Sequence, residues 1–350
     1  MALPAPIQAF LGREIDIFGQ KMSLGSLLLL VLICFVLGGV IAGGGTSDLL
    51  QGLFMGSIYA MVALGYTMVY GVLKMINFAH GDVFMWGAFF VYLFSVQLGV
   101  SFPVACFVAA LLCSLMGVVI ERVAYRPLRK ASRLAPLITA IGVSLFLEAA
   151  AQLSFGTGNK RIVPVDSPVL QLGQTSFDLF GDHVTVDHRD LLIVGVAVTI
   201  MMVLHLIVRY TKTGKAIRAV ADDIDSARAV GIDVNRMIST TFAIGSLFAA
   251  IGGILFALRF AADPYMGILP GIKAFTAAVV GGIGNIYGAM LGGILLGLAE
   301  FVGVWGLGKV GVPFPTAYRD AIAFVILIVV LLFKPSGLFG REHLTLSRRK

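Results

Sequence analysis

The chain has 350 residues, 58% of them hydrophobic and 13% charged, with a formal net charge of +7. A soluble domain of this size cannot bury so much apolar side chain, and charged residues stand at about half their usual share. The balance excludes an ordinary soluble enzyme or a nucleic-acid-binding domain and describes an all-α, polytopic membrane bundle.

Runs free of Asp, Glu, Lys and Arg locate the spans, because roughly 20 apolar residues cross the hydrocarbon layer at about 1.5 Å each. Residues 1–21 are read as a cytoplasmic N-terminal segment. The run 22–42 follows Arg13 and Lys21 and ends in small residues. It exceeds the roughly 7–15 apolar residues at the centre of a signal peptide, so it is expected to remain as a helix. Residues 49–73 form the next span. The stretch 83–120 is too long for one helix and is broken at residues 99–103, which predicts two helices joined by a tight turn. Residues 134–155 hold one acid, Glu148, about 21 Å along the helix and so expected at the far rim.

Residues 156–190 read as an exterior loop, with Asp166, Asp178, Asp182, Asp187 and Asp190 against Lys160, Arg161 and Arg189. The alternation at 176–181 predicts a small hairpin cap. Spans follow at 191–208 and 237–258, separated by a charged segment, 211–236.

Orientation follows the Lys and Arg of short loops. Arg122, Arg126, Arg129, Lys130 and Arg133 share one connection. Lys334 and the tail 335–350, with Arg341, Arg348, Arg349 and Lys350, make a second basic region. Both belong in the cytoplasm, as does the N-terminus. Residues 261–271 then lie outside, so an odd number of crossings must follow, whereas 273–299 and 321–333 supply two. Residues 273 to about 308 are therefore read as discontinuous: a short helix, a break at Gly281, Gly282, Ile283, Gly284 and Asn285, then a helix through Gly288, Gly292, Gly293 and Gly297. Non-helical backbone at membrane depth needs protein or a watery cavity around it, which makes the break a candidate pathway wall. Glycines spaced by four also serve close helix packing. The whole is one transmembrane domain, 22–334, of about 8–10 helices.

Few residues suggest chemistry. Cys34, Cys106 and Cys113 lie in apolar runs and form neither a disulfide framework nor a zinc set. Thr213-Gly214-Lys215 lacks the upstream glycine loop that cradles nucleotide phosphates, so the chain is expected to bind no cofactor and to hydrolyse no ATP. His80, Asp82 and Glu148 supply no nucleophile or metal set, so no enzyme is expected. Following Lys74, His80 and Asp82 are placed near the inner face, capping and orienting the next helix. Gly52, Gly56, Ser57, Tyr59, Gly65, Tyr66 and Thr67 put small residues and hydroxyls without charge on one span. That helix either lines a path or packs through its glycines with tyrosines as interface anchors.

In the charged segment, a helix over 219–230 places Val220, Ile224 and Ala227 on one face and Asp222, Asp225 and Arg228 on a polar row. Asp222 and Asp223 suit its start, Gly231 its stop, and Asp233 caps the next helix. Such a helix acts as a lever between two spans or rests on the bilayer.

The run from Arg218 through Asp222 and Asp223 to Ala227, Arg228 and Gly231 resembles the cytoplasmic loop by which ABC-importer permeases dock on their ATPase. Gly52 to Gly65 leading to Asn77-Phe78-Ala79-His80-Gly81-Asp82, then residues 121–129 and 273–285, resemble the LivH-type permease of high-affinity branched-chain amino-acid importers, over residues 49–340. That resemblance implies a vitamin-B12-permease-like (type II-like) bundle in the bacterial inner membrane, both termini cytoplasmic. It implies a LivM-type second permease, two LivG/LivF-type ATPases that use ATP and Mg, and a periplasmic or lipid-anchored binding protein. Arg218, Asp222, Asp223, Ile224, Ala227, Arg228 and Gly231 become the coupling residues. Gly52, Gly56, Ser57, Tyr59, Tyr66, Asn77, His80, Gly281, Gly282, Gly284 and Asn285 become candidates for the pathway or the helix break. Urea and short-amide importers share much of the pattern. A carrier driven by an ion gradient is the rival of another class; it needs ionisable groups near mid-membrane and inverted repeats, and the middles of these spans read as almost free of charge.

Overall fold

The computed structural model describes residues 14–17, 20–23, 38–75, 77–129, 131–132, 134–162, 173–179 and 181–339. Among them are eleven α-helices and two small hairpins. Strands β1 (Glu14–Ile17) and β2 (Gln20–Ser23) pair antiparallel. Met22 and Ser23, expected to open a helix, lie in β2 instead, and helical backbone is present at 38–42. Most of the expected first span, 24–37 with Cys34, falls outside the described residues, as does the tail 340–350.

Helix α1 (Thr46–Leu73) ends at Lys74, whose φ is 54°. Helix α2 (His80–Val91) continues through one π-helical stretch, Tyr92–Gln97, to the turn at Gly99, and α3 (Phe102–Ile120) follows with Pro103 in its first turn. The predicted break in the long apolar run is therefore present. A π-helical stretch, Glu121–Tyr125, and a 3-10 turn, Arg126–Leu128, extend α3. After α4 (Leu134–Phe155) come strands β3 (Gln174–Leu179) and β4 (Asp182–Asp187), the hairpin that alternation predicted. Helices α5 (His188–Tyr210), α6 (Lys212–Asp222), α7 (Ile224–Ala229) and α8 (Val234–Phe260) run on with little connection. Each of these four starts is capped by a side-chain oxygen, from Asp187, Thr211, Asp223 and Asp233.

The last region resolves as three legs. Helix α9 (Ile268–Gly281), α10 (Ile286–Lys309, capped by Asn285) and α11 (Arg319–Phe333) follow in turn, with the expected break between the first two. Helix α9 begins ahead of Lys273 because a search for charge-free runs must stop at a lysine even where the helix does not. Seven helical stretches among the described residues are long and apolar enough to cross a membrane, with α2 and the shorter α9 beside them.

Helix α1 is the axis. It is buried almost all round from Phe54 to Val69 and shows little amphipathic pattern, as a helix surrounded by other helices should. Its closest neighbour is α10. A Cβ on Gly297 would stand 2.4 Å from the Gly52 oxygen, and one on Gly293 2.4 Å from the Ala60 Cα, so these helices meet backbone to backbone. On another face, α10 meets α9 in the same way, where a Cβ on Gly292 would lie 2.2 Å from the Ala277 oxygen. Helices α3, α4, α5 and α11 wrap this centre and leave Phe107, Phe146, Met202 and Ile328 among their exposed apolar side chains. A soluble protein would not tolerate that surface; lipid or another apolar helix accommodates it.

Candidate functional site

At the end of the bundle rich in Lys and Arg, α6 and α7 make an elbow between α5 and α8. Ile217 and Val220 are buried, and a Cβ on Gly214 would lie 2.2 Å from the Ile207 oxygen, so α6 sits flush on the end of α5. Asp223 is extended (φ −153°, ψ 119°), and its carboxylate accepts the Ser226 N–H at 2.6 Å. That bond holds its carboxyl below the usual carboxylate range. The single helix expected over 219–230 is thus two. Asp222 closes α6 rather than opening a helix, and Ile224, expected to share a buried face with Val220 and Ala227, is exposed. The extended residue breaks the helical phase, leaving Ala227 inside and Ile224 out.

Gly231 stops α7 as expected, at φ 84°, with its N–H on the Arg228 oxygen and the Ile232 N–H on the Ala227 oxygen, both at 3.1 Å. Asp233 then accepts the Arg236 N–H at 3.0 Å to start α8. The elbow shows Ile224 and Val230 among Asp222, Asp225, Arg218 and Arg228.

The first turns of α8 are wired onward. Glu121, fully buried, accepts the Ser239 hydroxyl at 2.6 Å and pairs with Arg129, which donates to Asn235 Oδ1 at 2.7 Å. Tyr125 donates to Asn77 Oδ1 at 2.7 Å. Residues 121–129 drew attention in the sequence by resemblance alone. Folded, they fasten α3 to α8 and to the segment entering α2.

Deeper in the bundle, His80 packs edge-on to Tyr66 at 4.6 Å, and a Cβ on Gly65 would stand 2.4 Å from its Nε2. Asp82 faces Ser144 and Glu148 of α4. Both His80 and Asp82 are buried, and α2 has Ala79 at its N-cap with no side-chain cap. The expected capping role near the inner face is therefore corrected: Gly65 lies two turns, about 12 Å, before the end of α1, and α2 starts at that depth. Glu148 is also buried, turned toward Asp82 rather than outward. Counting along α4 gives its depth but not its direction, which is toward α2.

Gly52 and Gly56 meet α10, Ser57 donates to the Leu53 oxygen of its own helix at 2.8 Å, and Tyr66 lies between His80 and Phe275. Tyr66, Tyr70, Met75, Phe275, Ala278 and Ile283 line a shallow apolar notch. At the break, Gly281 packs on Gly288, while Gly282 and Gly284 take φ of 102° and 93°, conformations open to glycine. Asn285 caps α10 and donates to the Phe339 oxygen at 2.8 Å, and the Leu338 N–H meets the Val280 oxygen at 2.8 Å. The segment after α11 thereby closes over the break.

Toward the hairpin end lies a cluster that sequence reasoning missed. Lys273 Nζ on α9 is 3.0 Å from Glu300 Oε1 on α10, 2.7 Å from Asp320 Oδ1 on α11 and 3.3 Å from the Tyr59 hydroxyl on α1. Tyr59 donates to Glu300 Oε2 at 3.1 Å. Tyr59 is thus a member of an ion cluster rather than an interface anchor, and the reading that the span middles are almost charge-free is overturned. Treating each charge as the end of a span hid both ions. The available signal was two opposite charges, each interrupting an otherwise apolar run.

Comparison with known proteins bears on this arrangement. A family described as "Branched-chain amino acid transport system / permease component" matches residues 49–331. The chain is 43% identical over 305 residues to the high-affinity branched-chain amino acid transport system permease protein BraD of Pseudomonas aeruginosa, covering 85% of this chain and 96% of that one. The corresponding LivH of Escherichia coli K12 is 39% identical with the same coverage. A probable LivM permease of Methanocaldococcus jannaschii is 28% identical over 143 residues, 38% of this chain and 41% of that one. Similarity is thus deeper and longer to the LivH and BraD side than to this LivM protein.

Proposed function

Because the chain belongs to the family of branched-chain amino acid permease components, we propose that it forms half of the membrane path of an ATP-driven importer for leucine, isoleucine and valine. Its partners are a LivM-type second permease, two LivG/LivF-type ATPase subunits and a periplasmic or lipid-anchored binding protein. It binds no cofactor itself; ATP and Mg act on the ATPases. The Lys- and Arg-rich end faces the cytoplasm of a bacterial inner membrane, which places both termini inside and the β3–β4 hairpin outside.

The observation that carries this reading is the elbow. Helix α7 is short, capped by Asp223 and stopped by Gly231, and it offers exposed Ile224 and Val230 within a charged rim. Such an apolar centre with a polar surround suits a protein partner. Helix α8 follows within a few residues and carries Asn235 and Ser239, the groups bound to Arg129 and Glu121. A pull on α7 by a closing ATPase dimer therefore moves α8 and α3 together. Apolar walls of α3, α4, α5 and α11 provide surface for the second permease and lipid. Alternating access follows from tilting these helices about the rigid α1–α10 centre.

The test is uptake by the complete importer in proteoliposomes. Radiolabelled leucine, isoleucine and valine should enter only with ATP and loaded binding protein. Uptake driven by an ion gradient alone would reject the proposal.

A further inference from the structure

We propose that Arg319 and Asp320, at the head of α11, form the outward recognition point for the charged head group of a zwitterionic α-amino acid, with Lys273 as the positioning residue behind them. The proposal rests on the function and orientation given above.

The first observation is a surplus. Ions inside a membrane bundle are expensive, and one carboxylate suffices to neutralise one ammonium. Lys273 has two. Glu300 is fully buried and, with Tyr59, already satisfies Lys273 from within, whereas Asp320 keeps 48% of its side-chain surface exposed while touching Lys273 through Oδ1. The second carboxylate is thus held in place by the cation yet open on its other side. An ammonium group arriving from outside meets an oriented acceptor.

The second observation is Arg319. Its guanidinium lies 4.2 Å over the Phe301 ring, and its buried Nε has no hydrogen-bond partner among the described residues. Asp48 at the head of α1 is within electrostatic reach but forms no ion pair with it among the described residues. Buried N–H donors are almost always satisfied, so an Arg parked on an aromatic face is short of an acceptor. A carboxylate supplies one, in the forked geometry that guanidinium favours.

The third is fit. An α-amino acid carries its ammonium and carboxylate on one carbon and so needs an acceptor and a donor side by side, which adjacent Asp320 and Arg319 provide. Exposed Phe314 and Tyr318, just before them, offer apolar surface for an aliphatic side chain.

The test uses the complete importer in proteoliposomes with leucine-loaded binding protein, comparing wild type with Asp320→Asn, Arg319→Gln and Arg319→Lys. Leucine moved per ATP hydrolysed should fall about tenfold in the first two, the worth of one charged hydrogen bond, and recover only in part in Arg319→Lys, which restores the positive charge but not the forked donor. ATPase stimulation by the binding protein should stay within about twofold of wild type in all three, since the elbow is untouched. Unchanged leucine per ATP in Asp320→Asn and Arg319→Gln overturns the proposal. So does ATPase stimulation that falls in step with uptake, because the pair would then only hold the bundle together. If wild type itself shows no ATP-dependent leucine uptake, the function proposed above fails instead.

Discussion

Lys273 and Glu300 face each other across α9 and α10 with 3.0 Å between Nζ and Oε1, both nearly out of reach of solvent. Their pairing lets two ions sit within an apolar bundle, and Glu300, paired with Lys273 alone among the described residues, does not tolerate its loss. Lys273→Ala should leave the fully buried Glu300 with no cation paired to it among the described residues and cost on the order of 3–5 kcal/mol, whereas Lys273→Met with Glu300→Leu should cost clearly less. Thermal unfolding of the detergent-solubilised protein distinguishes them. Equal losses in the single and double variants would contradict the pairing.

The α1–α10 contact predicts a sharp division among glycines. Gly297→Val or Gly293→Val puts a side chain against the backbone of α1 and should abolish recovery of folded protein. Gly195→Ala and Gly306→Ala, where nothing lies within 4 Å, should leave yield and melting unchanged. Size-exclusion profiles after mild solubilisation give the answer, and intact Gly297→Val protein would show that the helices are not in backbone contact.

At the elbow, Ile224→Glu should leave membrane insertion intact while lowering ATPase stimulation at least about tenfold, the effect expected of a central interface residue. Gly231→Pro removes the N–H that meets the Arg228 oxygen and demands a negative φ where the chain has 84°. It should uncouple in the same way. Wild-type stimulation in both variants would remove α7 from the coupling path.

The cap at Asp223 carries a pH signature. Its carboxyl titrates below the usual range in the folded chain because the Ser226 N–H bonds the ionised form. A folded value below the unfolded one means that the cap's contribution is complete above the unfolded value, about 4, and is lost as pH falls through the folded value. Hydrogen exchange at the Ser226 amide should therefore keep its protection from neutral pH to about 5 and lose it in stronger acid. Asp223→Asn should remove that dependence.

Legibility followed local chemistry. The break at 99–103, the hairpin near 176–181, the stop at Gly231, the cap at Asp233 and the three final legs with a glycine-rich turn were readable, since each depends on a few neighbouring residues. The elbow's division was not. Asp223 has equal appeal inside a helix start and as a break, and burial of Ile217 and Val220 against α5 and α8 decides between them. The depth of His80 was lost for a similar reason: Lys74 marks where α1 ends, but only the packing of Gly65 and Gly81 shows how far back up the bundle the chain climbs before α2 begins.

By itself, the order of apolar and charged residues determined that this is a helical membrane protein, where most of its helices lie and which short segment is charged enough to face a partner. Hydrophobicity and turn chemistry act over a few residues, so they are written locally. Only the tertiary structure decided that Tyr59, Lys273, Glu300 and Asp320, drawn from four helices, share one ion cluster, and that residues 121–129 fasten α3 to α8. Charge pairing and backbone contact act between segments far apart in the chain, and their energies exist only once those segments meet.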